Sequence, residues 1–252
     1  ELQVNLEEAA PGLFRLKHGV TRGGGPQRRG PSVVTWRNGA GADERQDPLF
    51  LLSTEVSCIY TQGGRPRRIH ILIFAPDFAT VEKINKEFSS RGANLMSDGR
   101  PIMGLSSQEV AQLVLETNNQ CLLIPAHAWT PWFSLYGSMS GFDSIEECFG
   151  EYAKDIFAIE TGLSSDPAMN WRIAELDGRN IVSFSDAHSP PKLGREATVF
   201  EVSGQRSELS YNLIREAIAG LTSNSQPPKA KIAYTIEFHP EEGKYHYTGH
   251  RN

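Results

Sequence analysis

The 252 residues are 39% hydrophobic and 22% charged, which is enough apolar material for one sizeable core or at most two small ones. This composition excludes a disordered chain, a collagen-like chain and a small disulfide scaffold. The 25 Lys and Arg residues against 30 Asp and Glu residues give a formal net charge of −5. A polyanionic partner such as nucleic acid must therefore be held by a local basic patch or by metal ions, because the overall charge does not attract it.

The chain contains three cysteines, Cys58, Cys121 and Cys148, which are odd in number and widely spaced. Such spacing supports neither a disulfide framework nor a C-x-x-C metal clip, so we expect a reducing, cytoplasmic location. No apolar run approaches the roughly 18 residues of a membrane span, and no charged-then-apolar leader opens the chain. We therefore expect no membrane partner. Because the first residue is Glu1, we also expect the sequence to be a piece of a longer protein.

Residues 19–46 are rich in glycine and arginine and carry almost no periodic apolar signal. This pattern is typical of a flexible loop or insertion. Its arginines either contact phosphates or belong to an ordinary solvated loop, and the sequence leaves both readings open.

From residue 49 onward, short apolar runs alternate with amphipathic stretches, which predicts an α/β fold. Several of the apolar runs are continuous rather than alternating, as in parallel strands covered on both faces. A capping-box pattern opens the middle helix and Gly220 closes the last one. The predicted strands lie at 49–54, 69–75, 121–126, 156–160, 180–185 and 231–238, and the predicted helices at 78–92, 106–117 and 208–219.

Polar residues with metal-binding chemistry accompany these apolar runs. In a parallel sheet or barrel, functional side chains gather beyond the carboxyl ends of the strands. Imidazole combined with carboxylate oxygen suits Zn, Mn or Fe better than Mg alone, so the set predicts a divalent metal site. For each residue taken singly, a structural histidine, an ion pair or a helix cap is the alternative. The candidates are Glu55, His70, His127, Glu160, Asp186 and His188.

Three aromatic residues, Trp129, Trp132 and Phe133, follow directly after His127. Aromatic rings beside a metal site can stack on a base lifted out of a duplex. The alternative is that this loop packs on the rim of the fold, and the composition favours neither. Phosphate-loop, dinucleotide and H-E-x-x-H motifs are absent, and Met139 stands where a serine hydrolase would have its nucleophile.

Seven segments carry a resemblance to known proteins: EVS (55–57), RIH with LIFAPDF (68–70 and 72–78), SDGRP (97–101), PAHAWTPWF (125–133), ETGLSSDP (160–167), SDAHSP (185–190), and TIEF with PEEGKYHY (235–238 and 240–247). Together they closely resemble the endonuclease Q family, which belongs to the PHP (polymerase and histidinol phosphatase) superfamily of metal-dependent enzymes. The resemblance covers nearly all of the chain from Leu49 to Asn252.

The resemblance implies an α/β fold of the PHP type, a distorted (β/α)7 barrel that is here incomplete at its N-terminal strands. Residues 1–226 would form this barrel domain, with 19–46 as an insertion, and residues 227–252 a C-terminal strand and extension. The implied activity is cleavage of DNA on the 5′ side of deaminated bases (uracil, hypoxanthine, xanthine) or abasic sites, in a DNA-repair setting that can include replication or repair factors as partners.

The resemblance also implies roles for individual residues. Two or three divalent ions (Zn, Mn or Mg) would be held at the PHP ligand motifs, and Asp186 and His188 would act in catalysis. Arg100 and the three aromatic residues would contact the substrate. The implied metal ligands are Glu55, His70, His127, Asp186 and His188, with Glu160 as a weaker candidate.

The chain also departs from the family. Members begin with an H-x-H motif and a second motif containing Asp and His, whereas only His18 precedes His70 here. The chain ends where members continue into a cysteine-rich zinc module. We therefore expect a fragment with weak or no activity alone. Two alternatives stay open: a PHP-type phosphoesterase acting on a small phosphate monoester, and a non-catalytic DNA-binding fragment.

Overall fold

The structure is a computed structural model that describes residues 2–17, 48–96, 100–220 and 228–243. The predicted insertion at 19–46, most of the SDGRP segment, and three histidines of the sequence lie outside these ranges. Those histidines are His18, His246 and His250.

The chain begins with a short helix and a β-hairpin. Helix α1 (Leu2–Asn5) leads into strand β1 (Leu6–Ala10), which pairs antiparallel with β2 (Leu13–Leu16). Phe14 and Phe50 exchange two backbone hydrogen bonds of 3.0 and 2.8 Å. The hairpin is thereby attached to the segment that leads into the main sheet.

The main sheet has four strands in the order β5-β3-β4-β6. Strand β3 (Leu52–Gln62) and strand β4 (Arg65–Ala75) form a long antiparallel hairpin, and the two glycines between them both have positive φ, as a tight turn requires. Strand β5 (Ile102–Met103) pairs parallel with β3, and β6 (Leu122–Pro125) pairs antiparallel with β4.

Two amphipathic helices cover one side of this sheet. Helix α2 (Phe78–Ser90) is capped by Asp77, and α3 (Ser107–Thr117) has the capping box predicted from Ser106 and Glu109. Their apolar faces join the strand residues in one buried cluster, where each fully buried Ile, Leu or Phe contributes roughly 1.5–3 kcal/mol of transfer free energy. The short helix α4 (Ile145–Phe149) also belongs to this core.

The second half of the chain contains two further pairs of strands. Strands β7 (Ala158–Glu160) and β8 (Asn180–Val182) pair parallel, with the short helix α5 (Pro167–Asn170) between them. Strands β9 (Ala197–Val202) and β10 (Ala230–Ile236) pair antiparallel and are joined through α6 (Tyr211–Ala219), which ends at the left-handed Gly220.

The fold is mixed α/β, but its sheets differ from the predicted ones. We expected mainly parallel strands, whereas β3–β4, β4–β6 and β9–β10 are antiparallel. The reason is that β3 continues to Gln62 and turns back directly into β4, so no helix separates them. In the part of the chain that the structure describes, the strands form four separate sheets and no closed barrel. No helix in those residues is long and apolar enough to cross a membrane.

Candidate metal centre and substrate cavity

Glu55 and His70 are brought together by the β3–β4 hairpin. Glu55 lies opposite Leu72, and His70 lies opposite Ser57. Residues directly opposite each other, and those two positions apart on one strand, share a face of a sheet, so all four side chains point the same way. Our expectation that Glu55 lies beyond the end of a strand was wrong, because β3 runs on past it.

His127 follows β6 in a strained backbone conformation, with φ +31°. The Glu160 carboxylate holds this turn, since its Oε2 accepts the backbone N–H of His127 at 2.8 Å. Gly162, which has φ +63°, allows the close approach: a Cβ at this glycine would lie 2.5 Å from the Cβ of His127. The segment after β7 therefore fixes the position of His127.

The side chains of Glu55, His70 and His127 converge on a common point. Glu55 Oε1 lies 2.8 Å from His70 Nδ1 and 3.3 Å from His127 Nε2, and the two nitrogens are 3.1 Å apart. Two ligands of a tetrahedral ion with bonds of about 2.0–2.1 Å are separated by roughly 3.3 Å. One carboxylate oxygen and two imidazole nitrogens at this spacing fit a divalent transition-metal ion.

The hydrogen bonds of His127 leave the lone pair of its Nε2 available to a metal ion. Thr130 Oγ1 donates to the backbone oxygen of Trp132 at 2.8 Å, so it accepts at His127 Nδ1, which lies 3.1 Å away. The proton of neutral His127 is therefore on Nδ1, and the lone pair of Nε2 points toward Glu55 and His70. Metal-bound histidines are commonly oriented by such a partner on the other ring nitrogen.

The pKa shifts favour a negative charge on Glu55 and a positive charge on His127, but not a positive charge on His70. Burial alone raises the pKa of Glu55, but hydrogen bonds from His127 and His70 outweigh it and hold that pKa well below its usual range. Burial lowers the pKa of His70 to about 4. For His127 the effect of burial is exceeded by the hydrogen bond to Glu55 and by the charges of Glu160 and Glu55, so its pKa is raised. The Glu55 carboxylate therefore stabilises a proton on His127.

A cavity of about 580 Å³ is lined by two of the three donors, His70 and His127. It brings together residues that are distant in sequence but were predicted to form one site. Arg68, Thr130 and Pro131 complete its lining. The predicted residues that line it are His70, Arg100, His127, Trp132, Phe133, Asp186 and His188.

Asp186 and His188 lie on the loop after β8, outside the three-donor group. Asp186 has φ +42°, and Arg195 fixes its backbone by donating to the oxygens of Ser185 at 2.8 Å and of Asp186 at 3.2 Å. His188 Nδ1 is 3.7 Å from Asp186 Oδ1, and the His188 side chain is 72% exposed. Both residues line the cavity, although they lie more than 100 positions along the chain from the β3–β4 hairpin.

The structure gives three other predicted residues different surroundings. Glu160 is buried, with its pKa raised by burial to about 7, and it contacts the backbone of His127. Trp129 does not line the cavity; its Nε1 donates to Asn170 Oδ1 at 2.7 Å, which matches the packing alternative for this residue. Arg100 lines the cavity and also forms an ion pair with Glu55, at 3.0 Å from Nη2 to Oε2.

Several residues that support the site were not predicted. Ser57 Oγ lies 3.1 Å from His70 Nε2, and its place two residues after Glu55 on the same strand face is the signal that identifies it. Glu237 Oε2 accepts the hydroxyls of Thr161 at 3.1 Å and Ser183 at 3.2 Å. This carboxylate therefore ties the end of β10 to the ends of β7 and β8. Thr130, Gly162 and Arg195 carry no local sequence signal for the roles described above.

Two solved structures resemble the whole described fold. The crystal structure of the lesion-specific endonuclease PfuEndoQ from Pyrococcus furiosus is 27% identical, with a TM-score of 0.67 over 96% of this chain and 48% of that one. The structure of endonuclease Q in complex with a 27-mer duplex substrate with an abasic lesion at the active site is 28% identical. Its TM-score is 0.68, over 97% of this chain and 49% of that one. These two structures support an assignment of the chain to the endonuclease Q family.

Among curated proteins, the uncharacterized protein YqxK of Bacillus subtilis (strain 168) is 35% identical over 164 residues. This match spans 63% of the chain and 39% of YqxK. No family model matches. The chain thus spans about half the length of the endonuclease Q structures that it resembles.

Proposed function

We propose that this chain forms part of a metal-dependent DNA-repair endonuclease that cleaves the phosphodiester backbone beside abasic sites and deaminated bases. The observation that carries the proposal is the convergence of Glu55, His70 and His127 beside a cavity lined by Asp186 and His188. The similarity to an endonuclease Q bound to DNA with an abasic lesion supports the same substrate class for this chain.

Glu55 Oε1, His70 Nδ1 and His127 Nε2 would hold one divalent ion, and Asp186 and His188 offer further ligands across the cavity. When bound, such ions lower the pKa of water and neutralise the charge that develops on a phosphate. Arg100 keeps the Glu55 carboxylate in place through its other oxygen. Because hydrogen bonding to Glu55 and the charges of Glu160 and Glu55 raise the pKa of His127, an ion bound at Nε2 would compete with a proton for this nitrogen.

Part of the cavity wall is aromatic. Trp132 is 40% exposed, and Phe133 packs against the His70 ring at 4.7 Å between centroids. An exposed indole next to the proposed metal site suits stacking of a nucleobase, or filling of the gap at an abasic position. We therefore assign Trp132 to substrate contact, while Trp129 supports the loop from inside.

The test measures ion binding and cleavage separately. Titration with Mn²⁺ and Zn²⁺ should give saturable binding that His127→Ala removes. Single-turnover assays, with protein in excess over duplexes carrying one uracil, hypoxanthine or abasic site, should show nicking that requires the ion and stops with a chelator. We expect weak nicking, because the chain lacks the family's H-x-H motif.

Asp186→Ala should lower the nicking rate by about a hundredfold or more with an unchanged circular dichroism spectrum, whereas the exposed Asp177→Ala should not. Nicking that persists in chelator would contradict the proposed metal dependence. Hydrolysis of p-nitrophenyl phosphate without any nicking would favour a small-molecule phosphoesterase. DNA binding without ion binding or cleavage would favour a non-catalytic role.

A further inference from the structure

Arg68 lies on the same strand face as the proposed metal ligands. It is two residues before His70 on β4 and opposite Ile59 of β3, so its side chain points to the side that carries His70 and Glu55. Arg68 lines the cavity together with His70, His127 and Asp186. Nothing in the sequence patterns assigned it a role.

The backbone of Arg68 is fixed to the aromatic loop. Its N–H donates to the Ser140 oxygen at 3.3 Å, and its own oxygen accepts from Ser140 Oγ at 3.3 Å. The N–H of Phe133 donates to the same Ser140 Oγ at 3.3 Å, and the Phe133 oxygen accepts the N–H of His70 at 3.1 Å. The loop after β6 thus continues the ladder along β4, and it holds Trp132 and Phe133 beside Arg68.

The guanidinium of Arg68 lies over this aromatic surface. Its Cζ is 5.0 Å from the Trp132 ring centroid and 5.6 Å from that of Phe133. Within the described ranges, Arg68 forms no ion pair with a carboxylate, whereas Arg100 in the same cavity is paired with Glu55. A planar cation stacked on an indole keeps its N–H groups available at the edge of the plane.

We propose that Arg68 binds a phosphate of the DNA backbone in this cavity, with Trp132 holding the guanidinium in the required plane. This inference rests on the proposed function and adds to it a residue that positions the substrate. Two N–H groups of one guanidinium match two oxygens of a phosphate, which gives direction as well as charge. Because His70 is two positions away on the same face, a phosphate held by Arg68 lies next to the proposed ion.

A phosphate contact has a distinct signature in binding experiments. Loss of a phosphate contact lowers the affinity for damaged and for intact DNA by the same factor, because the phosphate carries no base information. Each neutralised phosphate also contributes about 0.9 to the slope of log K against log salt concentration for duplex DNA. A residue that reads the lesion would instead change the ratio of the two affinities.

The experiment measures the affinity of the chain for a labelled duplex with one abasic-site analogue, and for the matched intact duplex, over a series of NaCl concentrations. Arg68→Ala should lower both affinities about tenfold and reduce the salt slope by about 0.9. Arg68→Lys should keep the slope but bind more weakly than the wild type, because lysine lacks the planar fork. Arg215→Ala is the matched control, since Arg215 contacts the Asn119 oxygen at 3.1 Å, at the opposite end of β6 from His127.

An unchanged affinity and salt slope in Arg68→Ala would overturn the inference and leave the proposed nuclease intact. Loss of affinity for the abasic duplex alone would overturn it as well, since Arg68 would then read the lesion. A wild-type chain that binds neither duplex would overturn both the inference and the proposed DNA substrate. Thermal unfolding of each variant, expected within a few degrees of the wild type, excludes misfolding as the cause.

Discussion

Glu55 and His70 are diagonal neighbours across the β3–β4 ladder, with 2.8 Å between Glu55 Oε1 and His70 Nδ1. The contact depends on the register of the hairpin, because a slip by one residue would turn one side chain to the other face. The turn at Gly63 and Gly64 sets this register, although it lies far from the cavity. Two of the three proposed metal ligands therefore lie on the most extensively paired strands among the described residues.

The Glu55 carboxylate should be essential for ion affinity. Glu55→Gln keeps the size of the side chain but removes the negative charge and the anionic donor between His70 and His127. We expect the Mn²⁺ dissociation constant to rise at least about tenfold, which isothermal titration calorimetry measures. Glu87→Gln on the exposed side of α2 is the control and should bind like the wild type. Equal affinities in the two variants would remove Glu55 from the ligand set.

The contact between Gly162 and His127 predicts a different kind of defect. In Gly162→Ala, the new Cβ would lie 2.5 Å from the His127 Cβ at a φ of +63°, so the backbone must shift. We expect a loss of about 1–3 kcal/mol in unfolding free energy together with weaker ion binding. Gly178→Ala, which meets no atom within 4 Å, should show neither effect. Denaturant unfolding and ion titration of both variants check this.

Glu160 should make the stability of the metal-free protein depend on pH. Burial raises its pKa from 4.5 to about 7, so the folded state binds more protons than the unfolded state between these values. The contribution of Glu160 to the free energy of unfolding is therefore fully present below about pH 4.5 and is lost as the pH rises through 7.

Glu160→Gln removes this titration while its side-chain oxygen can still accept the His127 N–H. Relative to the wild type, we expect little change in unfolding free energy at pH 4.5 and a gain of up to about 3 kcal/mol at pH 8. Glu116→Gln, which is exposed, should follow the wild type at both pH values. A gain of the same size at both pH values would show that ionisation of Glu160 is not the cause.

Substitution of Trp129 should affect mainly stability, whereas substitution of Trp132 should affect mainly DNA binding. Trp129→Phe loses the 2.7 Å hydrogen bond to Asn170 and should cost about 1 kcal/mol of stability with unchanged DNA affinity. Trp132→Ala, at a 40% exposed position, should leave stability nearly unchanged and lower the affinity for abasic duplex several-fold. Fluorescence anisotropy and thermal unfolding of both variants give the comparison. The reverse pattern would contradict the placement of the two indoles.

Local sequence signals identified the elements with strong caps and long apolar runs. Helix α3 follows its capping box, and α6 ends at Gly220 as predicted, although it begins at Tyr211 rather than at residue 208. The hairpin of β1 and β2 and strand β9 were missed. Strands β1 and β9 are half-buried or exposed along their length, and β2 has buried Leu13 and Phe14 but spans only four residues. Strand direction was not predictable from apolar content, since a strand buried on both faces has the same composition in either orientation.

For the site, residue chemistry and the family resemblance selected groups that do share one cavity, including His127, Asp186 and His188. They could not show that Glu55, His70 and His127 converge while Asp186 and His188 only line the cavity. The positions of His127 and Asp186 depend on backbone turns of positive φ, which have no local sequence signal. Nor could they assign Trp129 and Trp132 different sides of the loop. Those sides depend on tertiary contacts with Asn170 and Arg68.

The hydrogen bonds that join the aromatic loop to β4 would couple the proposed binding of DNA to the proposed binding of an ion. The backbone oxygen of Phe133 accepts the N–H of His70, so a duplex that moves the loop would also move His70, a proposed metal ligand. By thermodynamic reciprocity, bound DNA changes the affinity for the ion by the same factor by which the bound ion changes the affinity for DNA. If the coupling is positive, the affinity for the ion would be highest when a duplex is bound.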